Sequence, residues 1–161
     1  MEKDAQFSAC RKYRYVLWRT WDKSKPYALF IGLNPSTADE YNDDPTIRRC
    51  TNYSKGWGYG GLSMVNLFAY IATKPTDMMR ASDPIGSNND YWIATESKNA
   101  GVVIAAWGNY GDFQNRSSNI LRLLPSIKCL NQNRNGEPTH PLYQSRLLMP
   151  TTMRRPDTTR E

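Results

Sequence analysis

The sequence predicts an α/β fold, with a parallel sheet and helices on both faces. Two observations carry this. Three short, uncharged runs, Tyr27–Leu33, Leu62–Phe68 and Gly101–Trp107, read as strands buried on both faces. Stretches with apolar residues at helical spacing separate them, and parallel neighbours need such crossovers. At 161 residues the chain is one domain by length, spanning 1–150. The Thr/Arg/Pro-rich segment 151–161 is expected to be a mobile basic tail.

Taken in order, Tyr13–Trp21 mixes aromatics with arginine and reads as an edge strand or hairpin arm. Tyr27–Leu33 is the first central strand, ending at the tight loop Gly32-Leu33-Asn34-Pro35-Ser36. Asp44-Pro45 is a helix start, with Asp44 as N-cap and Pro45 at the first helical position. The helix Thr46–Gly56 follows, and the cluster Gly56, Gly58, Gly60 and Gly61 ends it. Leu62–Phe68 is the second strand and contains Asn66. Lys74–Pro84 is a turn-rich connection with a short helix at most, and Ser87–Ala100 is a helix. Gly101–Trp107 is the third strand, broken by Gly108. Phe113–Leu124 is helical and closed by Pro125. Ile127–Leu130 is a short fourth strand. A polar loop leads to His140-Pro141, and Leu142–Met149 is expected to form a last helix.

Composition narrows the class. A mean hydropathy of -0.70 and 22% charged residues describe a soluble chain. No apolar run approaches the ~20 residues of a membrane span, and the start lacks a signal-peptide core. A cytoplasmic protein without a membrane partner is expected. Cys10, Cys50 and Cys129 lie far apart with no C-x-x-C pair, which argues against zinc, iron–sulfur and disulfide frameworks. The net charge of +6 is uneven: Met1–Pro26 carries +4, Pro141–Glu161 carries +2, and the middle is neutral. A basic rim of this kind suits a polyanion, although many soluble proteins are equally basic. Oligomeric state leaves no signal in the sequence.

Right-handed crossovers place the carboxyl ends of parallel strands on one rim, where ligands bind in open α/β sheets. Strand one delivers Asn34 and Ser36 there, strand two Asn66, strand three Trp107 and Gly108. Strand four leads to His140, the sole histidine. Each has a plainer alternative. Asn34 before Pro35 also shapes a turn. Asn66, an amide in an apolar run, either ties down a neighbouring loop or faces a ligand. Trp107 is core or pocket wall. In the acidic loop, Asp44 is a cap, whereas Asp39, Glu40 and Asp43 suit a solvated turn, a cation site or a water-activating base. The solvated turn is favoured, with Asp39 the best catalytic candidate. P-loop, dinucleotide and nucleophile-elbow signatures are missing, so no cofactor is expected.

Three segments, Gly32-Leu33-Asn34-Pro35-Ser36, Met64-Val65-Asn66-Leu67-Phe68 and His140-Pro141, resemble the landmarks of the uracil-DNA glycosylase superfamily. More closely, the chain resembles a bacterial and phage family, domain of unknown function 1643. That likeness rests on Tyr13-Arg14-Tyr15, Leu17-Trp18-Arg19, Leu33–Arg49, Val65–Tyr70 and Val103–Gly108. The resemblance implies a three-layer α/β/α sandwich with a central four-stranded parallel sheet. It implies a DNA glycosylase-like protein that flips out a damaged or modified base and hydrolyses its N-glycosidic bond. Asn34 then orients the attacking water, while the acidic insertion Asp39–Asp44 has no assigned role in the resemblance. Asn66 reads the base edge, and His140 stabilises charge on the departing base. Tyr41 stacks on the base beside Trp107. Ser36 holds a flanking phosphate, and Leu142 or Tyr143 fills the vacated stack. The chain departs from the usual pattern in carrying His140-Pro141-Leu142-Tyr143, and Asn34 where the fastest members have Asp. Two alternatives stand beside this reading: a non-catalytic module binding DNA, a nucleobase or a nucleotide, and a metal-dependent nucleotide-processing enzyme built on Asp39, Asp43 and His140.

Overall fold

The structure, a computed structural model, describes residues 1–154. The three expected central strands form as β3 (Tyr27–Gly32), β4 (Gly61–Asn66) and β5 (Val102–Ala105). Their alternating side chains build a core on each face of the sheet. On one face Leu29, Ile31 and Val65 meet Ile93 of α3 (Asn89–Asn99) and Ile120 of α4 (Arg116–Leu123). On the other, Ala28, Phe30, Leu62 and Met64 meet Ile47, Cys50 and Tyr53 of α1 (Pro45–Gly56). The connection after β4 holds only the short α2 (Pro75–Met79).

The sheet corrects one expectation. It is mixed and seven-stranded, not a purely parallel sheet of four. The additional strands are β1 (Glu2–Phe7), β2 (Arg14–Thr20) and β7 (Thr151–Thr152); the short β6 (Lys128–Cys129) completes the set. The order is β1-β2-β4-β3-β5-β6-β7. β4, β3, β5 and β6 run parallel, with antiparallel pairs at both margins. Glu-Lys-Asp-Ala-Gln-Phe of β1 has almost no apolar face because it is a largely exposed edge, so it lacks the pattern that marks a strand. By covering β2, it moves that strand off the edge. Thr151 and Thr152, assigned by composition to the mobile tail, pair with Cys129 and Lys128. Residues 155–161 of that tail lie outside the described residues.

Two helical expectations also change. Asn109–Asn115 is an irregular 3₁₀ segment with Gln114 and Asn115 at positive φ, so α4 starts only at Arg116. Leu142–Met149 forms no helix beyond a 3₁₀ turn at Pro141–Tyr143. The carbonyls that a helix would bond internally accept instead from α1. Arg49 Nη1 donates to Gln144 O (2.7 Å), Tyr53 OH to Ser145 O (2.6 Å) and Trp57 Nε1 to Leu148 O (2.9 Å). Tertiary hydrogen bonds override the local pattern.

Behind the sheet, the buried Glu96 of α3 accepts through Oε1 from Trp18 Nε1 (2.7 Å), Ser63 Oγ (2.6 Å) and Tyr27 OH (3.3 Å). One carboxylate thus fastens α3 to β2, β4 and β3. Cys10 is exposed beside Ser8, whereas Cys50 and Cys129 are buried, and all three are free thiols. No described helix is long and apolar enough to cross a membrane.

Candidate functional site

Parallel pairing sets Gly32 of β3 beside Asn66 of β4 at the carboxyl ends of both strands. A side chain at residue 32 would displace the Asn66 amide: a Cβ there would stand 2.7 Å from Asn66 Nδ2. Beyond β4 the backbone is clamped. Asn89 Nδ2 donates to the carbonyls of Asn66 (2.9 Å) and Leu67 (3.0 Å), and Arg116 donates twice to Leu67 O. Asn89, not Asn66, therefore ties down the chain, and the buried Asn66 side chain faces a cavity of about 460 Å³. Ligand sites commonly measure roughly 300–1,000 Å³.

Asn34, Ser36, Asn66, Trp107, His140 and Leu142 all line that cavity. Asn34 Nδ2 donates to Ala72 O (2.8 Å) and Pro35 O (3.1 Å). Its amide hydrogens are thereby held, and among the described residues nothing donates to Oδ1. His140 Nδ1 accepts from Leu142 N (3.2 Å), which leaves Nε2 to carry the proton of the neutral ring. Burial holds its pKa below the ordinary histidine value, opposed by the charge of Asp44. Gly108, at φ 76°, turns the chain out of β5 beside this histidine, a conformation that favours glycine. Trp107 is fully buried, with Nε1 donating to Glu137 Oε1 (2.9 Å), and Ser117 Oγ donates to Glu137 Oε2 (3.0 Å). It serves as a fixed wall.

Other expected residues are not brought together there. Asp39 does not line the cavity. Its Oδ1 accepts from the backbone nitrogens of Tyr41 (2.9 Å) and Asn42 (2.8 Å), bonds that hold its pKa below the carboxylate range. Tyr41 is 76% exposed and Tyr143 is 88% exposed, both outside the lining. Asp43 pairs with buried Arg19 (2.7 Å), and Glu40 with Arg11 (2.7 Å). The acidic loop is a turn held by arginines. Asp39, Asp43 and His140 do not converge, and among the described residues no three His, Cys, Asp or Glu side chains group as metal ligands.

Two lining residues, Asp44 and Arg14, were not site candidates in the sequence, where Asp44 reads only as a helix cap. Asp44 caps α1 through Oδ1, which accepts from Ile47 N (2.9 Å). Its Oδ2 has no partner among the described residues, so one side chain serves both helix and cavity. Arg14 is 3% exposed. It donates from Nη1 to Ala38 O (3.1 Å) and from Nη2 to Asn66 Oδ1 (3.4 Å), while Nε has no partner. Among the described residues no carboxylate lies within ion-pair distance of it, and burial lowers its pKa to about 10. An arginine between two tyrosines in an apolar strand was the available signal.

No curated protein and no solved structure matches the chain significantly. A family profile, described as protein of unknown function (DUF1643), matches residues 14–142. That span runs from the buried arginine at the cavity to the turn after the histidine, and over it the chain is a member of the DUF1643 family.

Proposed function

We propose that this chain is a DNA glycosylase-like protein that takes a flipped-out base into the cavity and hydrolyses its N-glycosidic bond. One observation carries the reading: Asn34, Asn66 and His140, distant in sequence, line a single cavity at the strand ends. Their free groups are chemically distinct. Asn34 offers an acceptor, His140 a proton on Nε2, and Asn66 an amide beside them. At the level of the fold, the parallel run β4-β3-β5-β6 within the mixed sheet supports this reading.

In the reaction, the bond from C1′ to the base nitrogen breaks and its electron pair leaves with the base. The sugar develops positive charge, and a water oxygen bonds to C1′. Asn34 Oδ1 accepts one hydrogen of that water and aims its lone pair at the carbon. Asp44, not Asp39, is the carboxylate available in the cavity to take the proton. Nε2–H of His140 donates to the oxygen of the base on which negative charge accumulates. Ser36 holds a flanking phosphate, and Leu142 at the mouth takes the place of the extruded base.

The placement of Asp39 outside the cavity favours a second reading, a site that binds a base or nucleotide without cleaving it. Incubation with duplexes carrying uracil, mismatched bases or modified pyrimidines, followed by detection of abasic sites, separates the two. Abasic product that disappears with Asn34→Ala supports hydrolysis. Binding without product across the whole panel supports the module.

A further inference from the structure

An arginine buried without an acid partner is costly, because desolvation penalises the cation and no ion pair offsets it. Arg14 is such a residue. Its two hydrogen bonds go to uncharged acceptors, Ala38 O and Asn66 Oδ1, and its Nε is unpartnered. A neutral donor such as glutamine would serve those two acceptors. The nearest charges offset this only in part. Asp44 and Asp39 favour the cation from beyond ion-pair distance, while Arg19 is of like sign and paired with Asp43. Arg14 also lines the cavity and touches the amide of Asn66.

We propose that Arg14 selects the charge state of the ligand: through Asn66 it makes the cavity favour a ring bound as an anion over the same ring bound neutral. This rests on the nucleobase reading and deepens it. A base leaving an N-glycosidic bond without protonation departs as an anion, with the former bond pair on its ring nitrogen. A buried cation behind the base-reading amide stabilises that species and not the neutral base. Polarised by Arg14, the NH₂ of Asn66 is a stronger donor to a ring carbonyl. His140, held neutral, adds a donor without adding charge.

The test uses the full chain and three rings of nearly the same shape with increasing N–H acidity: uracil, 5-fluorouracil and 6-azauracil. Affinities are measured by calorimetry at one mildly alkaline pH for the wild type and for Arg14→Gln. In the wild type, affinity rises with acidity. In Arg14→Gln the trend flattens, and the most acidic ring loses roughly ten- to a hundredfold in affinity, the range of a charge-assisted hydrogen bond. If Arg14→Gln does not fold, Arg14→Met carries the same comparison with no polar group to bury. The same dependence on acidity in wild type and variant overturns the role of Arg14 and leaves the nucleobase reading intact. Failure of the wild type to bind any of the three rings removes the nucleobase reading itself, and this inference with it.

Discussion

At the residue scale, Asp44 separates stability from chemistry. Asparagine is as good an N-cap as aspartate, whereas alanine is not. Asp44→Ala is expected to lose about 1 kcal/mol in urea unfolding. Asp44→Asn should unfold like the wild type and, under the proposed hydrolysis, lose base-excision turnover, since the amide cannot take a proton from water. His140 yields a second prediction. Its folded-state pKa lies below the ordinary value, so the folded protein binds fewer protons than the unfolded chain in that interval. The stability it contributes is fully present above about pH 6.5 and is lost as pH falls through the folded pKa. As the sole histidine, it gives one titrating imidazole signal by NMR, expected at a midpoint below the free-peptide value. A midpoint above that value would contradict the buried, neutral ring. Asn34, Asn66 and His140 were legible as site candidates because strand ends in an α/β sheet share a rim. Arg14 and Asp44 were not, because burial without a counter-ion and a second, unpaired oxygen are properties of three-dimensional surroundings.

At the element scale, what the sequence shows depends on how far an element is buried. β3 and β4, covered on both faces, carry continuous apolar runs and were found within a residue or two. β1 is largely exposed and has no such run. The stretch after Pro141, expected as a helix, folds as an irregular strap, because α1 and its C-cap Trp57 supply partners for its carbonyls. Those bonds hold the chain that follows His140, so the start of α1 brings its N-cap Asp44 to the cavity and the helix anchors the histidine segment. Glu96 plays the corresponding part for α3. Its removal in Glu96→Ala leaves Trp18 and Ser63 without an acceptor, while Tyr27 keeps its bond to the backbone carbonyl of residue 96 (3.2 Å). Unfolding by denaturant is expected to show a loss of about 2 kcal/mol or more, since each buried unpaired donor costs roughly 1–3 kcal/mol. Glu96→Gln, which keeps an acceptor oxygen, should lose less.

At the scale of the whole molecule, the sheet runs unbroken from β1 to β7, and the cavity opens at the end where its four parallel strands finish. The net charge of +6 overstates what a polyanion meets. Arg14 and Arg19 are buried, and Asp43 engages Arg19 and Lys3. Under the proposed function, duplex DNA is therefore expected to be held by few phosphate contacts, with a log–log salt slope of magnitude below about 5. A filter-binding series at increasing salt measures that slope, and a steeper one would reveal a wider basic face. The thiols, finally, differ enough to be useful. The hydroxyl of Ser8 lowers the pKa of exposed Cys10, while burial raises that of Cys50 and Cys129. A maleimide dye should accordingly attach once per native chain, at Cys10, and three times after denaturation. The wild-type protein thereby has a built-in position for a fluorescent reporter, with no engineering needed.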